Sequence, residues 1–281
     1  MVDEGAKGSL YVVSTPIGNM GDFTFRGVEV LRAVAAVLAE DTRHSRRLLD
    51  RFEISTPLVP YHEHNEARTT PGLVARLGQG ESFALISDAG TPLLSDPGLR
   101  LVRAAVEAGI AVVPVPGASA LLAALVASGI DAQRFTFYGF LPRKGGERAE
   151  ALGEMVRLTR AAVLYESPNR LADTLAELAE AGAGERNAAV ARELTKQFEE
   201  VRRGTVRELA AYYTSYPPRG EVVVVLEAGA GPEPLDEQAL RARVRELRAR
   251  GLRAREIADA LMADAGATRN LAYRLAHEET E

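Results

Sequence analysis

Residues 85–98 read LISDAGTPLLSDPG. The apolar run FALIS (83–87) stops there, and two Asp, two Gly and two Pro follow within eleven residues. A surface connector needs one turn residue. Four Gly and Pro positions in a single loop instead fix its backbone, Gly by reaching conformations closed to other residues and Pro by locking one torsion. A short apolar run closing on such a loop reads as a buried strand that delivers a rigid turn at its carboxyl end. In open α/β sheets that is where ligands bind. The loop is therefore expected to cup a ligand with its main chain.

The same arrangement recurs outward from this stretch. LYVVS (10–14), AAVLAE (35–40), AVVPV (111–115), RFTFYGF (134–140), AAVLYES (161–167), AAVAREL (188–194) and EVVVVLE (221–227) read as further strands, with helical patterns such as GLRLVRAAVEAG between them. This alternation predicts an α/β protein with largely parallel sheets. Eight strands suit two smaller sheets better than one, with the break near SGIDAQR (128–134). The expected units are an α/β domain over 9–128, a second over 129–229 and a helical extension over 235–281. The Gly- and Pro-rich AGAGPEP (228–234) serves as the linker. The extension reads as three helices, with seven Arg and one Glu between Arg241 and Arg255. Its end has a helix-turn-helix pattern, turning at Gly266 with Thr268 as N-cap. Such a hairpin either touches nucleic acid or packs on its own domain or a partner subunit.

Composition narrows the classes of function. Of 281 residues, 46% are hydrophobic, enough for a sizeable core, and no run of 18 apolar residues predicts a membrane span. The polar MVDEGAKGSL start lacks the apolar core of a signal segment, so a cytoplasmic setting is expected. The chain has no Cys, which excludes disulfides, thiolate catalysis and thiolate metal sites. A net charge of −5 excludes nonspecific coating of nucleic acid, so an RNA or DNA partner must be met by local basic patches.

Two more loops close predicted strands in the manner of the first. TPIGN (15–19) follows LYVVS, and PGASA (116–120) follows AVVPV. Asp96 is expected to cap a helix with Pro97 in its first turn. No Walker-type or dinucleotide-type glycine loop is present. YESPNR (165–170) and ARELTKQFEE (191–200) bring Glu166, Arg170, Arg192, Glu193 and Lys196 to strand ends, where they either project into a cleft or pair with one another. AEDTRHSRRLLDRF (39–52) places Asp41 at a strand end and Arg43, Arg46, Arg47 and Arg51 along a helix, facing either a phosphate backbone or solvent. His62, Glu63 and His64 in YHEHNE are spaced too closely on a loop to define a metal site, and no metal is expected.

In order, TPIGN, AEDTR, HNE, SDAGTPLLSDPG, PGASA, GFLP, YESPNR, ARELTK and GEVVVVLE resemble the ribosomal RNA small subunit methyltransferase I family, a branch of the tetrapyrrole methylase superfamily. The likeness runs from about Leu10 to Glu227, and the helical tail is its least matched part. The resemblance implies a two-domain tetrapyrrole-methylase-like (class III methyltransferase) fold, usually a homodimer, with a bent S-adenosylmethionine gripped largely by backbone between the domains. It implies 2′-O-methylation of a cytidine ribose in the decoding region of 16S ribosomal RNA within the small subunit.

By motif, Pro16, Ile17, Gly18, Asp88, Gly90, Thr91, Pro92, Ala118 and Ser119 are assigned to the cofactor, with Tyr165, Glu166 and Arg192 from the second domain. Lys196 is the first catalytic candidate, as a base depressed by burial or as an electrostatic stabiliser. Glu193, Glu166 and Asp41 are alternatives. Arg43, Arg46 and Arg47 are assigned to RNA, with Arg143 and Lys144 on a mobile flap. The rival readings are a methyltransferase with a tetrapyrrole or other small-molecule acceptor, and a ligand-sensing helix-turn-helix regulator.

Overall fold

The apolar runs become two five-stranded sheets in the computed structural model, which describes residues 7–230, 236–264 and 266–278. The first holds β1 (Ser9–Val13), β2 (Ala36–Ala39), β3 (Leu58–Pro60), β4 (Phe83–Ile86) and β5 (Ala111–Val115), in the order β3-β2-β4-β1-β5. Every pairing is parallel. Helices α1 (Phe25–Ala33), α2 (Thr42–Arg51), α3 (Glu66–Gly78) and α4 (Leu99–Glu107) supply the crossovers. Both faces are covered, which is why FALI reads as a continuous apolar run. Its alternate side chains enter different cores: Ala84 and Ile86 join Val13 and Leu49, whereas Phe83 and Leu85 join Leu10 and Leu77.

The second sheet departs from the parallel expectation. It contains β6 (Phe135–Phe140), β7 (Ala161–Glu166), β8 (Asn187–Arg192), β9 (Glu200–Thr205) and β10 (Val222–Leu226), in the order β6-β7-β10-β8-β9. Only β6 and β7 pair in parallel, while β10 runs antiparallel to β7 and β8, and β9 antiparallel to β8. The short link between β8 and β9 is one cause, because a parallel neighbour needs a crossover of a dozen residues or so. As a result the carboxyl ends of β7 and β8 meet the amino end of β10, with Val222 opposite both Glu166 and Arg192.

Strands β3 and β9 were not expected from the sequence. Both lie at sheet edges, and neither gives a strand signal of its own: β3 is only three residues long and β9 is mostly polar. β3 contains Pro60, and β9 reads EVRRGT. Helix α5 (Ala120–Ser128) closes the first five strands in sequence but packs on the second sheet, with Leu121, Ala124 and Leu125 against Val163, Ala189 and Val225. By packing, the second unit begins before residue 128, because α5 puts its buried stripe on β8 and β10. The far side of that sheet is covered by α6 (Gly146–Arg157), α7 (Leu171–Leu178) and α8 (Val206–Ser215).

The three tail helices are α9 (Glu237–Ala249), α10 (Ala254–Asp264) and α11 (Arg269–His277), sharing a core of Leu240, Val244, Ile257, Leu261 and Leu275. Gly266 turns with φ of 62°, and Thr268 precedes α11 without a side-chain capping bond. Residues 231–235 of the expected linker and extension lie outside the described residues. No helix among the described residues is long and apolar enough to cross a membrane.

Candidate active site

The opening loop is rigid for a local reason. Gly90 and Gly98 adopt φ of 80° and 127°, and Leu93 and Ser95 also have positive φ, at 75° and 73°. Such torsions in side-chain-bearing residues persist only where surrounding structure enforces them, and they concentrate at ligand clamps. At the Gly90 end of the loop, a set of hydrogen bonds between loops fixes the chain. The Thr15 N–H donates to the Gly90 carbonyl at 2.9 Å, and the Gly90 N–H returns to the Thr15 carbonyl at 3.1 Å. The Ser14 hydroxyl donates to Thr91 Oγ1 at 3.2 Å, and the Thr91 hydroxyl donates to the Ala118 carbonyl at 3.3 Å. The loops after β1, β4 and β5 are thereby joined. The expected Asp96 cap is corrected: Gly98 is the residue before α4, and Asp96 instead borders a cavity.

That cavity, of about 360 Å³, lies between the two sheets. Its first-sheet wall includes Ile17, Asp88, Gly90, Thr91 and Ser119, and its second-sheet wall Phe140, Tyr165, Glu221 and Val223. Small-molecule sites span about 300–1,000 Å³, so the space suits a nucleoside-sized ligand. At Gly90 an added Cβ would stand 3.3 Å from Ile17 Cγ2, so the wall is already at contact distance. Asp88 and Asp96 give the cavity a negative lining. Burial, then the charges of Glu40 and Asp88, push Asp96 up to about 6. Burial also raises Glu40, with Asp88 the next cause. A cationic ligand would relieve this crowding.

A second cavity, of about 210 Å³, shares Ile17, Asp88, Ala89 and Glu221 with the first. Pro16, Gly18, His44, Arg47 and Lys196 complete much of its wall. Lys196 enters from the loop after β8 and lies on Gly18, where an added Cβ would fall 2.4 Å from its Cγ. The Asn19 N–H donates to Thr195 Oγ1 at 3.1 Å, joining the same two loops. The Lys196 ammonium donates to Glu193 Oε1 at 2.9 Å and Glu221 Oε2 at 3.1 Å. Burial draws its pKa down, but hydrogen bonds to Glu193 and Glu221 outweigh that, and the net shift is upward. The bond from Lys196 holds Glu193 below the usual carboxylate range. The geometry thus gives a fixed cation rather than the depressed base offered as one reading of Lys196.

The remaining predicted residues are dispersed. Pro92 and Ala118 are not on the wall of the larger cavity, although the Ala118 carbonyl fixes Thr91. Glu166 borders it, but both its oxygens are engaged: Oε1 accepts from the Ser167 N–H at 2.7 Å and Oε2 from the Thr174 hydroxyl at 2.7 Å. Arg170 at 3.3 Å and Arg148 at 3.9 Å complete a buried ion network around it. Arg192 lies away from the cavity. Strand alternation turns Ala189 and Ala191 toward α5 and leaves Arg192 on the α8 side, where it donates to Glu200 at 2.7 Å.

Asp41 caps α2, accepting from the Arg43 and His44 N–H groups, and these backbone bonds lower its pKa. Arg43, Arg46 and Arg47 are exposed along α2, and only Arg47 reaches the smaller cavity. Arg143 and Lys144 are exposed in the β6–α6 turn beside a separate hollow. In the tail, Arg241, Arg243 and Arg274 are paired with Glu237, Glu246 or Glu278, so part of the Arg-rich face is neutralised internally.

Glu221 was missed because it directly precedes β10, and the rule of carboxyl ends points at the opposite end of an antiparallel strand. His44 carried no local signal beyond its place in AEDTRH. Asp96 was read as a cap because Asp followed by Pro is a common start of a helix.

The family model described as Tetrapyrrole (Corrin/Porphyrin) Methylases matches residues 9–210. The Ribosomal RNA small subunit methyltransferase I of Synechocystis sp. is 46% identical over 96% of this chain and 98% of its own. The protein of that name from Mesorhizobium japonicum is 51% identical over 82% of this chain and 78% of its own. In fold, the chain is similar to a uroporphyrin-III C-methyl transferase from Thermus thermophilus, solved complexed with S-adenyl homocysteine. That likeness has a TM-score of 0.57 and 19% identity, over 78% of this chain and 97% of the other.

Proposed function

Since the chain belongs to the tetrapyrrole methylase family, and within it to the ribosomal RNA small subunit methyltransferase I group, we propose that it transfers a methyl group from S-adenosylmethionine to a ribose 2′-oxygen of a cytidine in 16S ribosomal RNA. The observation that carries this reading is the pair of cavities meeting at one wall, with a pinned Lys196 cation beside it. The larger, lined by backbone and carboxylates, suits a cationic nucleoside. The smaller has His44, Arg47 and Lys196 facing an anionic acceptor strand.

S-adenosylmethionine supplies a methyl group already activated by a positive sulfur. The chain's task is alignment, and positioning alone can contribute roughly 7–11 kcal/mol toward the barrier. The Gly90 main chain is committed to Thr15, so Gly90 shapes the wall while Thr91 and Ser119 border the nucleoside beside it, and Asp88 and Asp96 balance its charge. Lys196 favours developing negative charge on the attacking oxygen. Glu221, on the shared wall and largely exposed, takes the hydroxyl proton and releases it to water. Arg46 and Arg47 hold phosphates of the incoming strand. The small ribosomal subunit is the acceptor, in the cytoplasm. The enzyme works as a homodimer, a reading supported by Leu122 and Val126, apolar and exposed on the outer face of α5.

The test is incubation with labelled S-adenosylmethionine and undermethylated small subunits, followed by mapping of ribose positions resistant to alkaline cleavage. One resistant cytidine in the decoding region is expected. Labelling of a porphyrinoid in place of the subunit overturns the acceptor, and specific duplex DNA binding without turnover overturns the enzyme.

A further inference from the structure

A separate hollow of about 400 Å³ lies on the outer side of β8, between the loop after β8 and the end of α8. Its walls are unusual for an exposed surface. Phe198 and Tyr216 are 66% and 64% exposed, in a chain where most large apolar side chains are covered. Tyr216 lies against Tyr212, ring centroids 5.0 Å apart and planes tilted by 33°. The Arg202 guanidinium sits over the Tyr212 ring, 3.7 Å from its centroid. Pro217 and Pro218 follow Tyr216 directly and stiffen its backbone.

Two further features point to a polar, anionic occupant. Tyr213 forms part of the wall, is 2% exposed, and its buried hydroxyl has no hydrogen-bond partner. A buried hydroxyl left unpaired is costly, and a ligand atom would satisfy it. Burial, with Glu200 nearby, pushes this phenol up to about 12, so it remains a donor. Arg219 is exposed at the rim with no ion-pair partner among the described residues. The hollow also adjoins the reaction site, because Glu193 lines it and accepts the hydrogen bond from Lys196 at 2.9 Å.

We infer that this hollow takes an unstacked nucleobase of the substrate RNA, a neighbour of the methylated nucleotide. The base lies on Tyr216 and Phe198, receives the Tyr213 hydroxyl at its edge, and its phosphate meets Arg219. Proteins select single-stranded RNA by splaying out bases onto aromatic side chains, and every base offers such a face. The site rests on the RNA methyltransferase reading and gives that enzyme a second hold on its substrate, which fixes the strand direction past Lys196.

The test compares wild type with Tyr216→Ala, Tyr216→Trp and Tyr213→Phe, each checked by circular dichroism and melting. In methyl transfer to undermethylated subunits, Tyr216→Ala should raise KM by about 5- to 150-fold, the loss expected for one base–aromatic stack, with cofactor Kd unchanged. Tyr216→Trp should restore KM, and Tyr213→Phe should raise it less than Tyr216→Ala does. An oligoribonucleotide carrying 2-aminopurine provides a binding arm independent of turnover. Its fluorescence should be quenched by wild type and Tyr216→Trp and not by Tyr216→Ala. Equal quenching by all three, or an unchanged KM in Tyr216→Ala, overturns the inference. So does a change of oligomeric state in Tyr216→Ala with KM intact, which would make the hollow a protein interface. If wild type quenches the probe yet methylates no RNA, the function reading fails and the base site stands.

Discussion

Asp96→Asn tests whether the larger cavity is built for a cation. Asp96 is pushed up to about 6 against an ordinary 3.8, first by burial and then by Glu40 and Asp88. Its folded-state pKa lies above the unfolded value, so between about pH 4 and 6 the folded protein keeps a proton that the unfolded chain has lost. Stability from this group therefore falls as pH rises through that window and stays low above it. Discounted for partial solvent exposure, the penalty at neutral pH is roughly 1–2 kcal/mol. Asn removes it, so the variant should melt higher than wild type at pH 7.5, by about 2–4 °C per kcal/mol, with the gap narrowing toward pH 4.

Cofactor affinity should move in the opposite sense. If a bound sulfonium returns Asp96 to its ordinary value, wild-type Kd should fall by about tenfold between pH 5 and 8. Asp96→Asn should be nearly flat over that range. S-adenosylhomocysteine, lacking the sulfonium charge, should show a smaller dependence in wild type. Calorimetric titrations at constant ionic strength measure all three. Parallel pH profiles for wild type and Asp96→Asn would refute the electrostatic reasoning, whatever the activity of the variant.

Other outcomes follow from particular contacts. Lys196→Met should lower kcat by about 10²–10³, as loss of a fixed donor at a developing oxyanion does, with cofactor Kd nearly unchanged in titration. A loss confined to cofactor affinity would remove Lys196 from the chemical step. Arg46→Ala combined with Arg47→Ala should weaken subunit binding and reduce the slope of log K against log salt by about 2, read from filter binding at several salt concentrations. An unchanged slope would place both side chains off the RNA. Glu166→Gln should destabilise by about 3 kcal/mol in denaturant unfolding, because Arg170 loses its buried counter-charge while Arg148 keeps Glu177 at 2.8 Å. A neutral effect would show that solvent already compensates the pair.

Much of the site was legible because it is local. Constrained torsions belong to residue types, so SDAGTPLLSDPG, TPIGN and PGASA announced rigid turns before any coordinates, and their carboxyl-end positions on parallel strands located one wall of the cavity. The opposite wall was legible only in part. Tyr165 does line the cavity, but Arg192 is turned away from it, Glu166 borders it with both oxygens engaged, and Glu221 was overlooked. Face, charge pairing and strand direction decide those three in turn, and each depends on partners distant in sequence.

By itself, then, the sequence determined the strands that carry apolar runs, where the chain turns sharply, and which charges are available, since each depends on side-chain chemistry within a few residues; the short β3 and the polar β9 needed their neighbours. It did not determine that β10 runs against its neighbours, that α5 leaves the first sheet for the second, or that Lys196 is held between Glu193 and Glu221. Those are outcomes of packing two sheets face to loop, where burial and charge pairing between residues far apart in the chain select one arrangement among several that local propensity permits.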